Sequence, residues 1–317
     1  MEAELRAAIG DLAGRIGVAG RDLRTGQQFL LEPDGSFPTA SMVKLPVLVE
    51  LFRQVETGQV RLADRHELSA SSRNEGSGIL KALDAGLQPT IRDLAFLMMS
   101  VSDNTATNIL IRLVGVDRVN ATLAAEGISG IELRHEIDFD HLWEQPEHLA
   151  VGTPRAFADL MERIYRRAIV SPDACERMLA MMAGVGPERI PRYLPFNPYG
   201  QELVRRGLAE PREWVQVAGK TGRLLGVAGH VVAVWSQDVE LVLAVMTSES
   251  PDPGFGVDHP QMLAIARVGL LRVGAAGRRS RDGDRRRLTS DRARQRPPPS
   301  PRAGSGRRRR PRRGGKP

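Results

Sequence analysis

Apolar residues are spaced along this chain in two ways. Intervals of three and four, the repeat of one helix face, run through residues 41–56, 90–100, 105–114, 116–126, 153–168 and 172–183, and predict helices there. Shorter apolar runs bounded by turn residues lie toward the two ends. Arg15–Leu23 reads as a strand, Arg24-Thr25-Gly26 as a turn and Gln28–Leu31 as the returning strand. At the far end Trp214–Val217, 227–236 and 239–248 read as strands, between a Pro/Gly-rich irregular stretch at 186–212 and a closing helix near 259–272. An opening helix is expected over about 2–14. Strands from both ends with helices between them predict an α+β fold. The expected form is an antiparallel sheet built from both chain ends with flanking helices, plus an inserted all-helical lobe. Residues 1–37 and about 196–274 are expected to form the α/β lobe, and about 38–195 the helical lobe.

Composition adds a boundary. From Ala275 onward the chain is mainly Arg, Pro, Gly, Ser and Asp, with Leu288 its only large aliphatic residue and no aromatic. This stretch holds 17 basic residues against 3 Asp, a net +14; the whole chain is +7, so residues 1–274 carry −7. Too little apolar surface is present to offset the entropy of ordering, so 275–317 is expected to be a disordered tail following one catalytic domain over 1–274. The tail lacks the aromatic rings that stack on single-stranded nucleic acid, so no specific nucleic-acid partner is expected.

The lone Cys175 excludes an internal disulfide and a cysteine-based metal site. His135, His141 and His148 stand six and seven residues apart, which suits neither a helical histidine pair nor a zinc knuckle, so no metal and no cofactor are expected. No run of about 18 apolar residues occurs, so no membrane span is expected. The N-terminus lacks the basic and apolar segments of a signal peptide. As written the chain is expected in the cytoplasm, or secreted or periplasmic if the true start lies upstream of Met1. A monomer is expected.

Three short motifs carry candidate chemistry. Ser41-Met42-Val43-Lys44 opens an apolar helix. Residues three apart share a helix face, so Lys44 can reach the Ser41 oxygen, and a serine hydroxyl needs such a base to become nucleophilic. Thr39 or Ser41 could cap the helix, and first-turn amides suit a developing oxyanion. By itself the motif is a common helix start. Ser102-Asp103-Asn104 falls at a junction between two helical runs, and Lys220-Thr221-Gly222 lies between two strands.

In this order and these settings the motifs match those of class A β-lactamases and penicillin-binding proteins, and residues 1–274 resemble the class A β-lactamase-like serine hydrolases. The resemblance implies a β-lactamase/transpeptidase-like fold and assigns roles. Ser41 would be the nucleophile and Lys44 the amine that helps deprotonate it. Ser102 would relay a proton to the leaving nitrogen, and Asn104 would orient Lys44 or the substrate amide. Lys220 and Thr221 would hold the substrate carboxylate, Gly222 would permit close approach, and the backbone amides of Ser41 and Arg223 would form the oxyanion hole. The implied ligand is a small β-lactam or a related amide or ester.

One departure stands out. Class A enzymes carry a Glu, with Asn four residues later, in the loop that here spans Leu133–Pro154. Glu136, Glu144 and Glu147 are present, but none has that Asn; Glu136 lies nearest the expected place and is followed by Asp140. Acylation is therefore better supported than deacylation. The leading reading is a hydrolase opening β-lactam rings through a Ser41 acyl-enzyme. A slow-turnover penicillin-binding protein, or a peptidase or esterase on the same scaffold, remains open beside it.

Overall fold

Both ends of the chain supply the main sheet. The structure is a computed structural model that describes residues 1–183, 188–208 and 214–274; the tail expected over 275–317 lies outside the described residues. Its helices are α1 (Glu2–Ile9), α2 (Lys44–Glu56), α3 (Ile91–Ser100), α4 (Asn104–Val114), α5 (Val116–Ala125), α6 (Phe139–Leu142), α7 (Pro154–Tyr165), α8 (Pro172–Met182), α9 (Gly200–Arg205) and α10 (residues 260–274). Its strands are β1 (Arg15–Asp22), β2 (Gln28–Leu31), β3 (Phe37–Pro38), β4 (Ile131–Leu133), β5 (Ala150–Gly152), β6 (Gln216–Leu224), β7 (Val227–Trp235) and β8 (Glu240–Ser248). Five of them form an antiparallel sheet in the order β2-β1-β8-β7-β6.

The sheet separates two apolar layers. Along β8, Val242, Ala244 and Met246 join the layer built on α2, α7 and α8, whereas Leu241, Leu243 and Val245 join the layer built on α1 and α10. This is the period of two that a strand imposes on its side chains. Because both faces are covered, the run reads as continuously apolar and not as polar–apolar alternation. Within the helical layer, the buried Glu50 of α2 accepts hydrogen bonds from Arg53, Gln54 and, 2.6 Å away, Thr122 of α5. The opening helix stops at Ile9, short of its expected length, because Gly10 takes a φ of 71° and closes it with an N–H bond to the Arg6 carbonyl.

The middle of the chain is mainly helical and also carries a three-stranded sheet, β3-β5-β4, that the spacing of apolar residues does not reveal. Its strands have only two or three residues each, too few to display a period. Between α2 and α3 the chain makes a long excursion with short 3-10 turns at Ala70–Ser72 and Leu80–Ala82. That excursion, the β4–β5 connection and the edge strand β6 enclose the site.

Candidate active site

Ser41 lies in a 3-10 turn, Ala40–Val43, that runs directly into α2. The chain enters it through Ala40 at a φ of 45°, a left-handed conformation that L residues rarely adopt. Edge strand β6 passes close to this turn. A Cβ on Gly222 would stand 2.6 Å from the Thr39 carbonyl oxygen and 3.1 Å from the Ser41 amide nitrogen, so only glycine lets the strand lie there.

Lys44, fully buried at the start of α2, reaches across to the junction before α4. Its Nζ lies 2.7 Å from the Ser102 carbonyl, 2.8 Å from Asn104 Oδ1 and 3.0 Å from Ser102 Oγ. The first two partners can only accept, whereas a hydroxyl can also donate. A protonated Lys44 donates to all three; once deprotonated, it keeps the first two and can accept from Ser102 Oγ instead. Burial, followed by the charge of Lys220, presses the Lys44 amine well below the usual lysine range, while Asp103 acts in the opposite sense.

Ser102 is held by its neighbours in the tripeptide. Its own φ is 56°. Asp103 caps α4 through the Ala106 amide at 2.9 Å and also accepts from Ile79 and Leu80 amides at 2.7 and 2.9 Å, tying the 3-10 excursion to the junction. Asn104 turns its oxygen to Lys44 because its nitrogen donates to the Glu75 carbonyl at 2.8 Å. From β6, Lys220 Nζ approaches Ser102 Oγ at 3.2 Å and the Thr221 carbonyl at 3.0 Å. One hydroxyl thus lies between two buried amines. Burial and then the nearby Arg189 bring Lys220 down to about 7.

Ser41 opens onto a cavity of about 300 Å³, shared with Asn104, Ile137, Phe139, Trp143 and Arg223. Arg223 stacks 4.4 Å over the Phe255 ring and donates to the Gly254 carbonyl at 2.7 Å. No carboxylate is among the described residues lining this cavity. Glu136 is instead paired with Arg112 at 2.6 Å. Ile137 explains the orientation: its amide and carbonyl are both bound by Asn108 at 2.9 Å, and its carbonyl also by Asn74 at 2.9 Å. That clamp turns the Ile137 side chain into the cavity and leaves its neighbour Glu136 toward α4. Glu144 and Glu147 are exposed, and neither lines the cavity.

The structure therefore brings Lys44, Ser102, Asn104 and Lys220 into one hydrogen-bonded group, with Gly222 against the Ser41 turn. It does not bring Glu136 there. Two further residues escape sequence reasoning. Arg189, buried in a stretch read only as irregular, donates to the Gly229 carbonyl at 2.9 Å. Burial, then Arg223, lowers it to about 9, which leaves it charged at neutral pH. His230 pairs in register with Thr221 and is fully buried. Neither ring nitrogen has a partner among the described residues. Burial, then Arg189 and Lys220, push it well below the usual histidine range, so it is neutral. A lone histidine within the otherwise apolar β7 was the one available signal.

The sequence profile of the Beta-lactamase enzyme family matches residues 1–274. The chain belongs to that family. Among its relatives, the Streptomyces cacaoi beta-lactamase regulatory protein BlaB is 26% identical, with 79% of this chain and 89% of that protein covered. A beta-lactamase of Streptomyces lavendulae is also 26% identical, with 86% of each covered. The crystal structure of a beta-lactamase from Sphaerobacter thermophilus superposes with a TM-score of 0.76 at 32% identity, covering 87% of this chain and 96% of that one. This family member shares the fold that the sequence implies, and no helix among its described residues is long and apolar enough to cross a membrane.

Proposed function

We propose that this protein is a serine hydrolase that opens β-lactam rings, forming a Ser41 acyl-enzyme readily and hydrolysing it slowly, as a slow-turnover penicillin-binding protein does. One observation carries the reading: the amines and hydroxyl suited to acylation converge, while the cavity wall opposite Ser41 presents Ile137 and Phe139 in place of a carboxylate.

Lys44, whose amine burial makes easier to deprotonate, takes the Ser41 proton as Oγ attacks the carbonyl carbon of the lactam. The C–N bond then breaks, and the proton reaches the departing nitrogen through Ser102 Oγ, which touches both lysines. Lys220 holds the substrate carboxylate, supported by the positive field of Arg189. The amides of Ser41 and Arg223 take the oxyanion. Hydrolysis of the ester then needs a base to activate water. Glu136 is engaged by Arg112 away from the cavity, and the absence of a placed general base typically slows such a step about 10²–10⁴-fold.

Labelling with a fluorescent penicillin tests the reading. Rapid covalent labelling that survives removal of free penicillin, and that Ser41→Ala abolishes, is the expected result. Labelling retained in Ser41→Ala would overturn it. A chain that never labels but cleaves peptides or esters would favour the peptidase or esterase reading of the same scaffold.

A further inference from the structure

Three histidines that stand far apart by spacing meet in the β4–β5 connection. Strands β4 and β5 pair Ile131 with Gly152, Glu132 with Val151 and Leu133 with Ala150. Arg134 and His135 continue the pairing by donating to the Leu149 carbonyl. The same register places His135 opposite His148, and their rings stack with centroids 4.1 Å apart and planes within 10°. The helical turn α6 then brings the third ring over: His141 stacks on the other side of His148 at 4.6 Å. Asp138, three residues before His141, accepts from its Nδ1 at 2.8 Å. A strand pair and a single helical turn thus gather three imidazoles and a carboxylate.

Asp138, His141 and His148 each offer a donor atom, and these atoms lie within 4.8 Å of one another. Zinc holds nitrogen and oxygen ligands at about 2.0–2.2 Å. Tetrahedral ligands at that distance sit about 3.3–3.6 Å from one another, so the widest donor pair needs to close by up to about 1.5 Å. The His141 and His148 rings, stacked within 15°, must also turn out of parallel so that their in-plane lone pairs meet at one ion, and the exposure of His141 and half-exposure of His148 leave room for that rotation. Two imidazoles and one carboxylate form a borderline donor set suited to zinc, copper or nickel in preference to calcium or magnesium.

We propose that Asp138, His141 and His148 form a site for one divalent transition metal of the zinc class. Between these ligands lie Phe139, Leu142 and Trp143, which line the Ser41 cavity. A bound ion cross-links the two ends of this segment and fixes the cavity wall. Binding does not depend on the acyl-enzyme reading, because it needs no reaction at Ser41.

The test uses the full chain stripped of metal by a chelator, titrated with zinc(II) by calorimetry and with cobalt(II) by visible absorption. One equivalent should bind and raise the melting temperature, and cobalt should develop a d–d band. The double variant His141→Ala/His148→Ala should lose the band and bind more than about 100-fold more weakly, since even outer-shell partners of a ligand are worth 10–100-fold. Its circular dichroism should match wild type, because the substituted positions are not in the core. His66→Ala, a histidine outside the cluster, should bind as wild type does. Equal binding by the double variant, or no binding by wild type at micromolar metal, would overturn the proposal.

Discussion

At the residue scale the site depends on keeping two buried amines unlike ordinary lysines. Lys44 and Lys220 share the Ser102 hydroxyl, and each is stripped of water. Lys220 sits at about 7 in the folded chain against an ordinary 10.5. Between those values the unfolded chain holds a proton that the folded chain has released, so stability climbs as pH rises through this window and levels off below about 7. Urea unfolding of Lys220→Met across the window should show a flatter climb than wild type; an identical slope would mean that Lys220 stays protonated when folded. The motifs made Ser41, Lys44, Ser102, Asn104 and Lys220 visible in the sequence because their spacing reflects local geometry. Arg189 and His230 were not visible, because their meaning comes only from the register of β6 against β7 and from burial.

At the element scale, two connections do most of the positioning. Asp103 is a buried carboxylate accepting three amide hydrogen bonds, from Ile79, Leu80 and Ala106. Asp103→Ala removes a helix cap and orphans those donors, for a loss of about 3 kcal/mol in urea unfolding. Acylation should fall with it, since the same junction sets Ser102. The β4–β5 connection is where sequence reading was least informative. Counting along it favoured Glu136, but the Asn108 clamp on Ile137 shifts the inward-facing position by one residue. Ile137→Glu should therefore bring a carboxylate to the cavity and speed deacylation by about 10-fold or more, toward the range of a placed general base. Glu136→Gln should leave deacylation unchanged. A faster step with neither substitution's help, or a slower one in Glu136→Gln, would show that the connection rearranges around substrate. The histidine cluster illustrates the same limit: spacings of six and seven gave no metal signal, and only the strand pairing together with the α6 turn brings the rings together.

At the scale of the whole molecule, the antiparallel sheet built from both chain ends was legible because its strands are long and its covering helices strongly patterned. The β3-β5-β4 sheet was hidden by the brevity of its strands. Charge is divided as sharply as hydropathy: residues 1–274 carry −7 and residues 275–317 carry +14. Composition predicts that removing 275–317 leaves the melting temperature and penicillin labelling nearly unchanged while abolishing retention on heparin. Aggregation or loss of labelling on truncation would show instead that the tail supports the rest of the chain.

The central claim is a persistent acyl group on Ser41, and the mass of the intact protein followed after mixing with penicillin G tests it most directly. The expected result is a single adduct of one penicillin, mapped to Ser41, that remains after free penicillin is removed and decays faster only in Ile137→Glu. Prompt return of the unmodified mass in the wild-type chain with accumulation of hydrolysed penicillin, or an adduct on a residue other than Ser41, would contradict it.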